Sequence, residues 1–242
     1  MKLGVFSDVH GNIEALRAVM AALRRAGATR FACCGDVVGY GPNPAEVVAE
    51  IQQLGAATVA GNHEWGVVGR LARGDFNAAA WSALCWTRTV LTASDRDWLG
   101  GLPPVVDIGP DRLVHAAPSD PGGWDYVIST ARAGEELAGF GGRVCFAGHT
   151  HQPLAVARRN DGPAERLAPD QLVLEPGTRY FLNPGSVGQP RDGDPRAGCL
   201  LFDDAVGTVE FLRVEYDIAA VRDRMRRAGL PRTLADRLEV GR

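Results

Sequence analysis

The first 65 residues of the chain alternate between short apolar runs and amphipathic helical stretches, and no other feature narrows the fold as much. Lys2–Ser7 is a largely apolar run that stops at Asp8, and Ile13, Leu16, Val19, Met20 and Leu23 then mark one face of a helix closed by Gly27. Phe31–Cys34 is a second run, ending at Gly35-Asp36. Asn43-Pro44 offers an N-cap and a first-turn proline for a helix buried through Val47, Val48, Ile51 and Leu54. Thr58–Ala60 is a third run, ending at Gly61-Asn62. Strand, helix, strand, helix, strand with short connections predicts right-handed βαβ units and a parallel sheet.

The middle of the chain reads as more helical. Asn77–Thr92 carries Trp81, Leu84, Cys85, Trp86 and Val90 at helical spacing, and Ser94-Asp95-Arg96-Asp97 looks like a capping box for a short helix. Trp81, Trp86 and Trp98 are most simply packing residues. Val105–Ile108 and Arg112–His115, separated by Gly109-Pro110-Asp111, predict a hairpin. An aperiodic loop over Pro118–Trp124 precedes a helix over Thr130–Phe140 and a run over Arg143–Ala147. Strands are expected at Leu154–Ala157, Leu172–Glu175, Arg179–Leu182, Cys199–Phe202 and Thr208–Val214, and helices at Asp217–Arg227 and Thr233–Leu238. No linker or repeat divides the chain, so residues 1–242 are read as a single domain.

Five apolar runs end in polar residues of one kind. They stop at Asp8-Val9-His10, Gly35-Asp36, Gly61-Asn62-His63-Glu64, His115, and Gly148-His149-Thr150-His151. Ligands of open α/β sheets bind where strands end at their carboxyl edge, so these termini gather around one crevice. The chain has five histidines, and all of them lie in these segments. Taken alone, Asp8 fits a helix cap, His115 a core histidine, and Asn62-His63 a turn. His149 and His151 are the stronger pair, because alternate residues of an extended segment share a face. Mixed Asp, Asn and His ligands suit transition ions, and seven exceed the four of a tetrahedral zinc site. They suffice for two ions about 3.5–4 Å apart sharing a carboxylate.

In order and spacing, these five blocks resemble the motif series of the calcineurin-like metallophosphoesterases, in their small bacterial and archaeal phosphodiesterase branch. The resemblance implies an α/β fold, a four-layer α-β-β-α sandwich of two mixed β-sheets flanked by helices. It implies two divalent transition-metal ions (Mn, Fe, Zn, Ni or Co), one held by Asp8, His10 and His151 and the other by Asn62, His115 and His149, with Asp36 bridging. His63 would face the substrate phosphate and act as general acid, while metal-bound hydroxide attacks phosphorus in line. Ala116 follows His115 where the family commonly has glycine. Val37–Pro42 lacks the arginine of the phosphoprotein phosphatases, which lowers the case for a protein phosphatase.

The expected activity is therefore a phosphodiesterase acting on a small phosphate ester or nucleotide. The alternatives are a phosphomonoesterase, a nucleotide pyrophosphohydrolase, or a non-catalytic metal-binding regulatory module. Asn183–Arg191 reads either as a turn leaving a strand or as a loop returning to the crevice, where Arg191 would fork onto a phosphate oxygen. Asn12 is a second candidate for substrate binding, and otherwise a helix cap. Trp124 and Tyr126 suit base stacking or core packing equally.

Composition limits the remaining classes. A net charge of −3, with Lys2 the only lysine among 26 basic residues, gives no dedicated nucleic-acid-binding surface. There is no apolar run long enough to span a membrane, and Leu3–Phe6 is too short for a signal peptide. The five cysteines form no CxxC pair, and four lie in apolar runs, as expected of free thiols in a reducing cytoplasm. An oligomer is left open.

Overall fold

The structure, a computed structural model, describes residues 2–242. Two six-stranded mixed sheets stack face to face with helices on their outer faces, giving the expected four-layer sandwich. The first sheet contains β1 (Lys2–Phe6), β2 (Arg30–Cys33), β3 (Ala57–Thr58), β9 (Gln171–Val173), β11 (Ala197–Asp203) and β12 (Thr208–Val214), in the order β3-β2-β1-β11-β12-β9. The second contains β4 (Val105–Ile108), β5 (Asp111–Val114), β6 (Val144–Phe146), β7 (Pro153–Arg159), β8 (Ala164–Leu167) and β10 (Thr178–Pro184), in the order β4-β5-β6-β10-β7-β8. β1, β2 and β3 run parallel, as do β5, β6 and β10, while β4 and β5 form the expected antiparallel hairpin.

Strand periodicity divides the core. Leu3 and Val5 of β1 meet Leu113, Val144, Phe146, Tyr180 and Leu182 between the sheets, whereas Phe6 turns outward beneath α1 (Ile13–Arg25). α1 buries Ile13, Leu16, Val19, Met20 and Leu23, the face read from the sequence. α2 (Pro44–Leu54) lies beside it and buries Val47, Val48 and Ile51. On the far side, α6 (Thr130–Gly139) covers the second sheet through Ala133 and Leu137 packed on Val114, Cys145, Val156 and Phe181. α7 (Ile218–Arg227) and α8 (Arg232–Val240) pack with Ala80 and Ala83 of α4 (Ala78–Val90) in a separate cluster that includes Tyr40.

Some local expectations are corrected. The capping box of α5 (Ala93–Gly101) is formed by Thr92 and Asp95, because the helix starts before Ser94. α4 buries Ala80, Ala83, Leu84 and Thr87, which turns Cys85 and Val90 outward; the other four cysteines are buried. Asn43 sits at the N-cap of α2, but its side chain engages Glu46 and Arg224 and makes no cap bond. Asn62-His63 is more than a turn: Asn62–Val67 forms α3, a helix of six residues. Arg88 donates to the Gly66 and Val67 carbonyls and so closes its far end. Trp81, Trp86 and Trp98 are partly buried packing residues, as expected. Among the described residues, no helix is long and apolar enough to cross a membrane.

Candidate metal centre

β1, β2, β5 and β6 all deliver their carboxyl ends to one edge of the sandwich. Asp8, Asp36, His115 and His149 follow within three residues of those ends, and His10 and His151 lie two residues beyond Asp8 and His149. The loops after the two sheets are tied together there. Asp8 accepts the backbone N–H of His149 at 3.1 Å, and Asp8 and His10 donate their own N–H groups to the carbonyls of Gly35 and Asp36.

The backbone at this edge is unusual. Asp8, His10, Asp36, His149 and His151 all have φ between 49° and 67°, the left-handed region. Non-glycine residues are uncommon there, with Asp, Asn and His the best tolerated, and such strain clusters at functional sites. The kinks aim successive side chains into one buried space.

Two groups of ligand atoms result. Asp8, His10, Asp36 and His151 form one and Asp36, His115 and His149 the other, with the atoms of each within 4.8 Å of one another. Asp36 belongs to both: its Oδ2 lies 3.6 Å from His10 Nε2 and 3.2 Å from His115 Nε2. His151 Nε2 is 3.3 Å from Asp8 Oδ1.

The outer contacts settle the tautomers. His10 Nδ1 lies 3.0 Å from the Val38 carbonyl, His115 Nδ1 2.7 Å from that of Cys34, and His151 Nδ1 2.6 Å from that of Gln189. His149 uses Nε2, 2.9 Å from the Trp124 carbonyl. A carbonyl only accepts, so each of these nitrogens carries a proton, and in the neutral rings of His10, His149 and His151 the opposite nitrogen presents its lone pair to the site. The inward nitrogens meet in twos: His10 Nε2 and His151 Nε2 are 3.1 Å apart, as are His115 Nε2 and His149 Nδ1. His10 and His151 are both neutral, so their facing lone pairs repel, whereas a cation between them satisfies both. Asn62 Oδ1, at the first position of α3, is likewise buried without a partner. The donor set fits a divalent metal.

Charge is consistent with this. Burial holds His10 and His151 well below the usual imidazole range and lowers His149 to about 3. Burial also raises Asp8 to about 7. His115 differs: burial would lower it, but the Asp36 carboxylate beside it prevails and lifts it to about 9.

His63 adjoins the cluster. Its ring is 4.6 Å, centroid to centroid, from both His10 and Tyr40, and its Nδ1 is buried without a partner against Gly39. A Cβ at Gly39 would overlap that nitrogen, and Gly39 has φ of 88°, so glycine is required twice over. The Asn183–Arg191 segment does return to the crevice. Val187 and Gly188 donate to the Ser7 and Asp8 carbonyls, and Arg191 donates its N–H to His151. The Arg191 guanidinium donates to Tyr40 Oη at 3.3 Å and Gln189 Oε1 at 3.1 Å, and its Nε is buried with no partner. Asn12 accepts from Ala15 and donates to Gly188, so its contacts are those of a helix cap and a loop anchor. Trp124 packs edge-on against Trp65, while Tyr126 stacks on His149.

Sequence reasoning missed two contributors. Glu64 accepts backbone N–H groups from Gly61, Asp36 and Val38, bracing both loops that carry Asp36 and Asn62. Tyr40 roofs His10 and His63. The position of Glu64 two residues after Asn62 was visible, but a bond to backbone leaves no pairing signal in side-chain types.

A family model for the calcineurin-like phosphoesterase superfamily domain matches residues 1–204. An uncharacterized protein of Methanocaldococcus jannaschii is 34% identical over 244 residues, covering 99% of this chain and 98% of that protein. The phosphodiesterase YfcE of Escherichia coli is 25% identical over 221 residues, covering 86% of this chain and 91% of YfcE. The crystal structure of a metallophosphoesterase from Sphaerobacter thermophilus matches with a TM-score of 0.87 at 38% identity, over 100% of this chain and 99% of that one.

Proposed function

The chain belongs to the calcineurin-like phosphoesterase superfamily, and on that premise we propose that it is a dinuclear metal-dependent phosphodiesterase, with residues 1–242 working as one unit. The observation that carries this reading is the place of Asp36 in both groups of ligand atoms. In this reading Asp8, His10 and His151 would hold one divalent transition ion, Asn62, His115 and His149 would hold the other, and Asp36 would serve both. Bound there, the ions activate water and neutralise charge on the phosphate. Similarity to a relative named as a phosphodiesterase favours the diester over the monoester.

The protein's own groups do the rest. Arg191, whose Nε is buried without a partner, serves as a donor for a phosphate oxygen. His63 donates a proton to the leaving oxygen, a contribution of typically 10²–10⁴-fold. Burial lowers His63 to about 4. A bound phosphate brings negative charge beside it, which raises that value toward the range where the ring holds a proton.

The test pairs elemental analysis with turnover of bis-(p-nitrophenyl) phosphate, its monoester counterpart and dinucleoside polyphosphates under Mn, Ni, Co, Zn and Mg. Preference for the diester is expected. Asp36→Asn should lose metal and turnover together, whereas His63→Ala should keep metal and lose rate. Equal metal loss in both variants would sink this division of roles, and metal without turnover of any ester would leave a binding module.

A further inference from the structure

Tyr126 is a large side chain that the fold leaves 53% exposed at the edge of the ligand cluster. Its ring stacks on His149, with centroids 4.1 Å apart and planes inclined by 15°. The neighbouring Val127 is buried and Ile128 beyond it is 63% exposed, so the chain alternates here and places Tyr126 and Ile128 on the solvent side. His149 takes one face of the Tyr126 ring, and more than half of the side chain stays open to solvent.

Arg191 lies on the same rim. It donates to Tyr40 Oη, and its charge opposes the rise that burial gives the Tyr126 hydroxyl, so the guanidinium acts on both phenols. Tyr40 and Gln189 orient the guanidinium while its Nε stays unpartnered. A phosphate-gripping group and an open aromatic face thus stand side by side.

We propose that Tyr126 is a stacking platform for a planar aromatic group carried by the phosphate ester, a nucleobase, while Arg191 grips the phosphate. An open π-face accepts any base, because stacking needs no hydrogen-bond match. The substrates selected are nucleotide esters in preference to alkyl or sugar esters. This inference rests on the phosphoesterase site proposed above.

The test measures binding of AMP and of ribose 5-phosphate to the manganese-loaded protein by calorimetry. The two compounds share a phosphate and a sugar and differ by the base. The wild-type protein should bind AMP about tenfold more tightly. Tyr126→Ala should bring the ratio of dissociation constants close to one, and Tyr126→Trp should preserve it. The ratio is internal to each protein, so a general weakening of phosphate binding cancels. A wild-type ratio near one, absence of binding by both compounds, or an unchanged ratio in Tyr126→Ala would each overturn the proposal. Turnover of bis-(p-nitrophenyl) phosphate is scored separately, so failed hydrolysis is told apart from failed stacking.

Discussion

Glu64 Oε2 lies 2.8 Å from the backbone nitrogen of Asp36, which joins the first turn of α3 to the carboxylate shared by both ligand groups. The Glu64 carboxylate also accepts the N–H groups of Gly61 and Val38. Glu64→Ala would strand three buried donors, each costing about 1–3 kcal/mol. Chemical denaturation should show a loss of at least about 3 kcal/mol, with metal content falling as the Asp36 loop relaxes. Full metal occupancy in a destabilised variant would limit Glu64 to folding.

Metal affinity should fall with acid. Ligation needs Asp8 ionised and His115 neutral. Asp8 is raised to about 7, chiefly by burial, so below that pH a proton competes directly with the ion. His115, lifted to about 9 because Asp36 outweighs the effect of burial, must also release its proton at neutral pH. His10, His149 and His151 are already neutral and release none. Calorimetry in buffers of different ionisation enthalpy should therefore detect about one to two protons released at pH 7. No release would contradict these assignments.

Gly39→Ala is expected to damage catalysis more than metal binding. The added methyl overlaps His63 Nδ1, and the positive φ adds about 1–2 kcal/mol of strain. Turnover should fall toward that of His63→Ala, with metal content retained. Near-normal turnover would show that His63 has room to move.

Arg191 should govern substrate affinity. Its guanidinium is oriented by Tyr40 and Gln189, an arrangement that lysine cannot reproduce. Both Arg191→Ala and Arg191→Lys should raise KM about tenfold or more, a loss on the scale of one charge-assisted hydrogen bond. Metal content should not change. A fall in kcat alone would move Arg191 from ground-state binding to the transition state.

The parts of the site that could be read from sequence are those where side-chain identity itself does the chemistry. Asp8, His10, Asp36, His115, His149 and His151 stand at strand ends, and strand ends follow from apolar runs. The Val38, Cys34, Gln189 and Trp124 carbonyls that fix the imidazole tautomers have no such signature, since every residue carries a carbonyl. α3 leaves no clear signal because six residues show too little periodicity, and β8 none because its half-exposed residues Ala164–Leu167 lack an apolar run. Arg191 was legible only as a residue in a Gly- and Pro-rich segment. Its approach to the crevice depends on Val187 and Gly188 pairing with the loop after β1, a contact across most of the chain.

The left-handed turns at Asp8, His10, Asp36, His149 and His151 also bear on how such a protein is engineered. Glycine at any of these positions removes both a ligand and a source of backbone strain, so heat resistance and metal retention pull against each other there. A library sorted for thermal tolerance alone would enrich inert chains. Selection has to be coupled to metal retention for the centre to survive it.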